Sequence, residues 1–155
     1  GEIGKMIVDE QRGVARVETN EDEGLASELL FKWLITSGCG RGASFYSPAD
    51  VKNQAKVESK IVIPAHKVFA LISEFQHRSQ VYQAKGGVHS AALCDTKGIL
   101  LSSEDIGRHN AIDKIFGECM LRDILTDDRI IITSGGIPSD ILLKVAERNI
   151  PILYF

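Results

Sequence analysis

The sequence is poor in cysteine, and its three thiols lie far apart at Cys39, Cys94 and Cys119. An odd number of well-separated cysteines does not predict a disulfide framework, so we expect a reducing compartment, the cytoplasm. No apolar run approaches the roughly 20 residues that span a bilayer, and no basic-then-apolar segment predicts a secretory signal. The net charge of −3 gives no field that attracts nucleic acid or anionic lipid. We therefore expect neither as a partner.

The sequence also lacks internal repeats and low-complexity segments, and 44% of its residues are hydrophobic, as in ordinary globular proteins. A chain of 155 residues is long enough for one sizeable core. It opens on Gly1 without a methionine and stops within the apolar stretch 151–155. We expect further residues on both sides.

Apolar periodicity predicts the secondary structure of the second half. Val68, Leu71, Ile72 and Phe75 share one face of a helix that starts after Pro64. A hairpin of 88–94 and 99–101 follows, then a helix through 111–119, a strand at 129–133, a helix at 141–148 and a strand from 150. Strand–helix–strand alternation predicts a parallel pair, and with it an α/β fold: a mixed sheet flanked by helices.

The first half is less regular. We predict an edge strand at 14–17, a helix at 25–34 and a surface loop at 44–60. Residues 1–60 are therefore expected to form a partial N-terminal segment that carries Cys39. Residues 61–155 are expected to form the α/β core without its C-terminal end.

A thiol in a glycine-rich loop is the first candidate for chemistry. Cys39 lies in the segment 37–42, which reads SGCGRG. Flanking glycines expose a side chain to a partner, and the charge of Arg41 favours a thiolate or a bound persulfide. The alternative is an inert, buried cysteine beside a turn. Cys94, on a strand, and Cys119, on an apolar helix face, are predicted to be such core residues.

A dense polar block lies where a predicted strand meets a helix. Residues 104–114 read EDIGRHNAIDK, and helix N-termini attract anions, to which Arg108 and His109 add donors. Asp105 is an acceptor suited to the paired donors of a guanine edge. The alternative is a capped helix with solvated charges.

Two further segments precede or follow predicted strands. Gly86 and Gly87 allow a ligand or a second backbone to approach closely before a strand that holds His89. Ser134 and Gly135 follow a strand and precede a helix, where α/β sheets bind ligands. His89 is also compatible with a satisfied core histidine.

The order of elements resembles the cytidine-deaminase-like layout, but zinc-deaminase motifs are missing. Such enzymes need His-x-Glu and Pro-Cys-x-x-Cys. Here the corresponding residues are His109, Asn110 and Ala111, and the segment 134–138 contains no cysteine. We expect no metal and no zinc-dependent deamination.

From about residue 25 onward the sequence resembles the FdhD family of formate dehydrogenase accessory proteins. The resemblance lies in residues 86–93, GGVHSAAL, in the block 104–114, in 37–40 and in 133–135. It implies a deaminase-like core, a homodimer, and a sulfurtransferase that accepts persulfide sulfur from a cysteine desulfurase. The sulfur passes to the bis-molybdopterin guanine dinucleotide cofactor before insertion into the formate dehydrogenase catalytic subunit.

The family pattern assigns the persulfide to Cys39. The cofactor-binding residues that follow from the resemblance and the polar clusters are Gly87, His89, Asp105, Gly107, Arg108, His109, Asn110, Ser134 and Gly135. An alternative is a non-catalytic chaperone that holds the guanine-containing cofactor, favoured by Gly42 where many members carry a second cysteine. A hydrolase on the same scaffold is a further alternative, which bound zinc would support.

Overall fold

A four-stranded mixed sheet organises the second half of the chain. The computed structural model describes residues 3–19, 34–35, 43–44 and 56–155. Among them the sheet has the order β6–β5–β7–β8. Its strands are β5 (His89–Cys94), β6 (Ile99–Asp105), β7 (Ile130–Thr133) and β8 (Ile152–Tyr154). β5 is antiparallel to both neighbours, whereas β7 and β8 are parallel. The predicted α/β class, the hairpin and the parallel pair are confirmed.

Helices cover both faces of this sheet. The four helices are α1 (Ala65–Arg78), α2 (Gln80–Lys85), α3 (Arg108–Leu121) and α4 (Ser139–Glu147). Ala91 and Leu93 of β5 pack with α3 and α4, and Ala92 and Cys94 pack with α1 on the other face. Small alanines in a central strand let both helical layers approach the backbone closely.

The helices predicted for the second half of the chain agree with the structure. Pro64 directly precedes α1, whose Leu71 and Phe75 are buried. The predicted apolar face of α3 is buried too: it consists of Ala111, Ile112, Ile115, Phe116 and Cys119. Periodicity missed the six-residue α2, which offers too few residues for a recognisable pattern.

The first half contributes two separate hairpins to the described residues. β1 (Ile3–Asp9) pairs with β2 (Val14–Thr19), and β3 (Leu34–Ile35) pairs with β4 (Ala43–Ser44). The predicted edge strand at 14–17 is confirmed, whereas β1 was not predicted. Two expectations were wrong at their ends, because Leu34 belongs to a strand and not to a helix, and Ser44 belongs to a strand and not to a loop. Residues 56–60 of the predicted loop have no regular secondary structure, as expected. The remainder of the predicted helix, residues 25–33, and residues 45–55 of the loop lie outside the described residues.

The described residues fall into two units, one formed by the N-terminal hairpins and one by residues 56–155. The helices in these ranges are all too short or too polar to cross a lipid bilayer.

Two leucines of different burial test where the core lies. Leu93 is fully buried in β5 and Leu125 is 73% exposed. Leu93→Ala should lower the free energy of unfolding in urea by about 2–5 kcal/mol, because it leaves a cavity. Leu125→Ala should change it by less than about 0.5 kcal/mol. Equal effects of the two substitutions would contradict this assignment of the core.

Candidate functional site

Three polar segments meet at one end of the sheet. β6 and β7 end there and β5 begins there, with His89 opposite Asp105 across the antiparallel pair. The turn after β7 is bonded to β5: the Ser134 backbone N–H donates to the Ser90 carbonyl oxygen, and the Ser90 N–H donates to Ser134 Oγ, both over 2.9 Å. The sequence segments 86–89, 104–110 and 133–136 are therefore neighbours in space.

Arg108 packs tightly against the glycine turn. A Cβ on Gly135 would lie 3.1 Å from Arg108 Cβ and 3.2 Å from His89 Nδ1, and one on Gly136 would lie 3.3 Å from Arg108 Nη1. Arg108 Nη1 also donates to the Gly136 carbonyl oxygen over 3.4 Å. Arg108 Nε is buried and has no acceptor among the described residues. A side chain at Gly135 would therefore force Arg108 or His89 to move by a few tenths of an ångström.

Asp105 fastens the junction between β6 and α3. Its Oδ1 accepts the Gly107 N–H over 2.9 Å and the Asn110 side-chain amide over 3.1 Å. Its Oδ2 lies 2.6 Å from Lys114 Nζ. The Lys114 ammonium group foremost, then the Gly107 and Asn110 donors, lower the pKa of Asp105 from 3.8 to about 2. With these donors in place, the Asp105 carboxylate mainly holds the β6–α3 junction together, and we call its contacts with Gly107, Asn110 and Lys114 the clasp. Its contact with a guanine edge stays a prediction.

Gly107 makes the clasp possible because it directly precedes the first helical residue, with extended backbone dihedrals. A Cβ at this position would lie 3.1 Å from Asn110 Nδ2 and 3.6 Å from Asp105 Oδ1. A side chain here would push Asn110 away from Asp105. Residues 104–114 therefore form a close-packed junction between β6 and α3. This packing explains why the residue directly before the helix is a glycine.

His109 is paired with a residue that the sequence analysis missed. Its Nε2–H donates to Asp140 Oδ2 over 2.8 Å, and both side chains are about four-fifths buried. Asp140 lies in the first turn of α4, so this contact joins the N-terminal turns of α3 and α4. An acidic residue directly before the predicted helix at 141–148 was the available signal, but acids there also stabilise the helix dipole.

Glu104 and the two glycines before β5 complete this end of the sheet. The Glu104 carboxylate accepts the backbone N–H groups of Val81 and Tyr82, over 3.0 and 3.2 Å, and so caps α2 from a distant strand. Gly86 and Gly87 have backbone φ angles of +63° and +73°, which residues other than glycine rarely adopt. Nothing lies within 4 Å of a Cβ built on either, so their need for glycine is conformational.

The cysteines divide into two groups. Cys94 and Cys119 are buried, as predicted. Desolvation raises the pKa of Cys94 to about 12, with smaller contributions from Glu74 and Asp95, and burial also raises that of Cys119. Cys39 lies outside the described residues. Within the described ranges no three His, Cys, Asp or Glu side chains cluster as a metal site would require.

A pair of glycine substitutions tests the packing of the turn. Gly135→Ala should lower the free energy of unfolding by about 1–3 kcal/mol, because its Cβ overpacks against Arg108 and His89. Gly117→Ala is the matched control, since it lies inside α3 with open space around its Cβ. Alanine should stabilise that helix by up to about 1 kcal/mol. Urea denaturation measures both, and a neutral Gly135→Ala variant would contradict the packing.

The clasp predicts a specific dependence of stability on pH. Asp105 binds its proton less readily in the folded chain than in the unfolded chain, so its ionised form stabilises the fold above about pH 4. That contribution is lost as the pH falls through the folded-state pKa of about 2. Urea unfolding across this window should show a smaller loss of stability in Asp105→Asn than in the wild type, with Lys114→Met intermediate. Parallel curves for all three proteins would argue against the clasp.

Comparison with known proteins places these features in a family. The family model described as the FdhD/NarQ family matches residues 1–154. The sulfur carrier protein FdhD of Bacillus subtilis (strain 168) is 41% identical over 152 residues, which cover 98% of this chain and 58% of that protein. The protein of the same name from Staphylococcus aureus (strain MRSA252) is 36% identical, covering 98% and 57% of the respective chains. The chain thus spans somewhat more than half of the length of these curated relatives.

A solved structure agrees with the fold. A crystal structure of a candidate formate dehydrogenase accessory protein from Desulfotalea psychrophila aligns with a TM-score of 0.70 at 24% sequence identity. The alignment covers 98% of this chain and 54% of that one. The resemblance read from the motifs is therefore confirmed: the chain belongs to the FdhD/NarQ family.

Proposed function

We propose that this chain is part of a sulfur carrier for formate dehydrogenase, with Cys39 as the persulfide-bearing residue. The observation that carries the proposal is the meeting of segments 86–89, 104–110 and 133–136 at one end of the sheet, in a member of this family. The names of the relatives support a role in sulfur transport. The proposal further names the molecule that donates the sulfur, the cofactor that takes it up and the enzyme that receives this cofactor.

The chemistry of the cysteines supports Cys39 as the carrier. A thiol must be accessible and readily ionised to take up sulfur. Cys94 and Cys119 meet neither condition, because burial shields them and raises their pKa values. Cys39 remains, in a glycine-rich segment that also contains Arg41. No zinc ion is needed for this chemistry.

The proposed uptake step conserves atoms and electrons. The Cys39 thiolate attacks the outer sulfur of a persulfide on a cysteine desulfurase. The sulfur–sulfur bond of the donor breaks and the donor leaves as a thiolate, while Cys39 becomes the persulfide. For delivery, an electron pair of the acceptor attacks the outer sulfur and forms the new bond to it. The sulfur–sulfur bond at Cys39 breaks and Cys39 leaves as a thiolate, so no second cysteine in the loop is needed.

The proposed acceptor of the sulfur, and the bound cargo, is bis-molybdopterin guanine dinucleotide, before its insertion into the formate dehydrogenase catalytic subunit. Arg108 supports this choice, because it begins α3 beside the glycine turn and its guanidinium group suits phosphate oxygens. The open surroundings of Gly87 allow a ligand close to the backbone. His109, oriented by Asp140, and Asn110, His89, Ser134 and Gly135 complete the proposed cradle. We propose that the protein works in the cytoplasm as a homodimer.

A labelling experiment tests the carrier. After incubation with a cysteine desulfurase and cysteine, intact-mass spectrometry of the chain should show the gain of one sulfur atom. Cys39→Ala should lose this gain, whereas the matched control Cys119→Ala should retain it, because Cys119 is buried. If Cys39→Ala gains sulfur as the wild type does, Cys39 is not the carrier.

The alternative is a chaperone that binds the guanine-containing cofactor and performs no sulfur chemistry. Gly42, where many family members carry a second cysteine, favours it. Guanine-nucleotide binding by the wild type without any sulfur gain would select this alternative.

A further inference from the structure

His109 and Asp140 form the one histidine–carboxylate pair among the residues that the structure describes. The carboxylate is held at both oxygens: Asp140 Oδ2 accepts the His109 Nε2–H over 2.8 Å, and Asp140 Oδ1 accepts the Ile141 backbone N–H over 3.0 Å. About four-fifths of each side chain is shielded from solvent. The pair is therefore an oriented hydrogen bond between the first turns of α3 and α4.

The carboxylate determines which tautomer the His109 ring adopts. An ionised carboxylate has no hydrogen to donate, so the shared proton must lie on His109 Nε2. In the neutral ring the second nitrogen, Nδ1, then carries a lone pair. No hydrogen bond joins Nδ1 to another of the described residues. On the side away from Asp140, the ring therefore offers a proton acceptor and not a donor.

A second contact between the same two helices provides a comparison. Lys144 Nζ binds both carboxylate oxygens of Asp113, over 2.7 and 2.9 Å. Each of these residues lies about one helical turn after its counterpart in the histidine pair. The side chains of Lys144 and Asp113 are 37% and 50% exposed, so this contact is a partly solvated tie between α3 and α4. The histidine pair differs from it by its deeper burial and by its second ring nitrogen.

The histidine pair lies beside the proposed cradle. His109 directly follows Arg108, which packs against the turn at Gly135 and Gly136. In hydrolytic triads, a histidine that donates one N–H to a carboxylate uses its other nitrogen as a general base. Among the described residues, no hydroxyl or thiol group is hydrogen-bonded to the His109 ring. A proton that Nδ1 accepts therefore comes from a group that is brought to the site.

We propose that His109 accepts the proton that sulfur delivery releases, and that Asp140 is the positioning residue that keeps Nδ1 unprotonated. This inference rests on the proposed function, because the proton comes from the outer sulfur of the Cys39 persulfide. Asp140 acts only through His109.

The proposed proton transfer conserves atoms and electrons. The electron pair of the acceptor forms its bond to the outer sulfur, while the sulfur–hydrogen bond breaks and the proton binds His109 Nδ1. The sulfur–sulfur bond breaks, and its electron pair leaves with Cys39 as a thiolate. The acceptor is oxidised by one electron pair and the persulfide is reduced by the same pair. The Asp140 carboxylate balances the charge of the imidazolium, which then releases its proton to water.

Nitrogen NMR of the full chain with isotope-labelled histidine tests the tautomer without any sulfur chemistry, and His109→Gln identifies the His109 signals. In the wild type, neutral His109 should carry its proton on Nε2. Asp140→Asn should increase the share of the Nδ1–H form, because the asparagine amide can donate to Nε2. Asp113→Asn is the matched control, since it removes a carboxylate from the same pair of helices. It should leave the tautomer unchanged.

Delivery is measured on the chain that a cysteine desulfurase has loaded, with a water-soluble tertiary phosphine as the acceptor. The phosphine takes the outer sulfur with its electron pair and becomes a phosphine sulfide. His109→Gln should slow this reaction about 100-fold or more, as expected for loss of a general base. Asp140→Asn should slow it about tenfold or more, and Asp140→Glu should recover part of the rate because it restores a carboxylate. Asp113→Asn should stay within about twofold of the wild type.

The outcomes separate this inference from the carrier function, because the mass gain on loading is measured first. If His109→Gln loads fully and delivers sulfur as fast as the wild type, the inference is wrong and the carrier function stands. Equal slowing by Asp140→Asn and Asp113→Asn would show that Asp140 only ties the helices together. A wild-type ring with its proton on Nδ1 would also contradict the inference. Full loading of Cys39→Ala would contradict the carrier function, and this step with it, even with the expected tautomer.

Discussion

The contact between Arg108 and the Gly135–Gly136 turn is the constraint on which the site depends. Arg108 is the first residue of α3, and the turn connects β7 to α4, so one side chain fixes the distance between two helix starts. The approach is so close that a single methyl group on Gly135 would contact Arg108 Cβ at 3.1 Å. The His109–Asp140 hydrogen bond joins the first turns of the same two helices. Arg108, His109 and Asp140 therefore also hold the elements of the domain together.

The two faces of the sheet offer different chemistry at this end. On the α3 face, Arg108 and His109 stand among backbone donors, which suits an anionic group. On the α1 face, a cleft between α1, α2 and the ends of β7 and β8 is lined by uncharged side chains, among them Tyr82, Gln76 and Gln83. Glu104 and Asp105 hold the two arrangements from neighbouring positions on β6.

The apolar periodicity of the sequence was sufficient to predict most of the helices and strands that form the core. The helix with Leu71 and Phe75 and the hairpin that includes Leu93 were predicted because burial imposes a period on the sequence itself. The same reasoning failed for Leu34, where a short apolar run fits a helix and a strand equally well. The six-residue α2 was missed because it is too short for a recognisable pattern. Its cap, Glu104, also lies more than 20 residues away in the sequence.

The sequence indicated which polar segments lie near one another, but only partly how their side chains are arranged. Glycines and polar residues at strand ends indicated which segments meet, and Arg108, His89 and Gly135 do lie together. Asp140 was missed because its partner His109 is 31 residues away and no local pattern links them. The internal role of Asp105 was also hidden, since a carboxylate that binds Lys114 has the same sequence signature as one that binds a ligand.

We propose that the separated segments form one binding cradle. Hydrogen–deuterium exchange of the full chain with and without guanosine diphosphate is the test. Exchange should slow together at amides in residues 105–111 and in 133–137, two segments that only the fold brings together. Slowing in one segment alone, or in neither while the nucleotide binds elsewhere, would contradict the account.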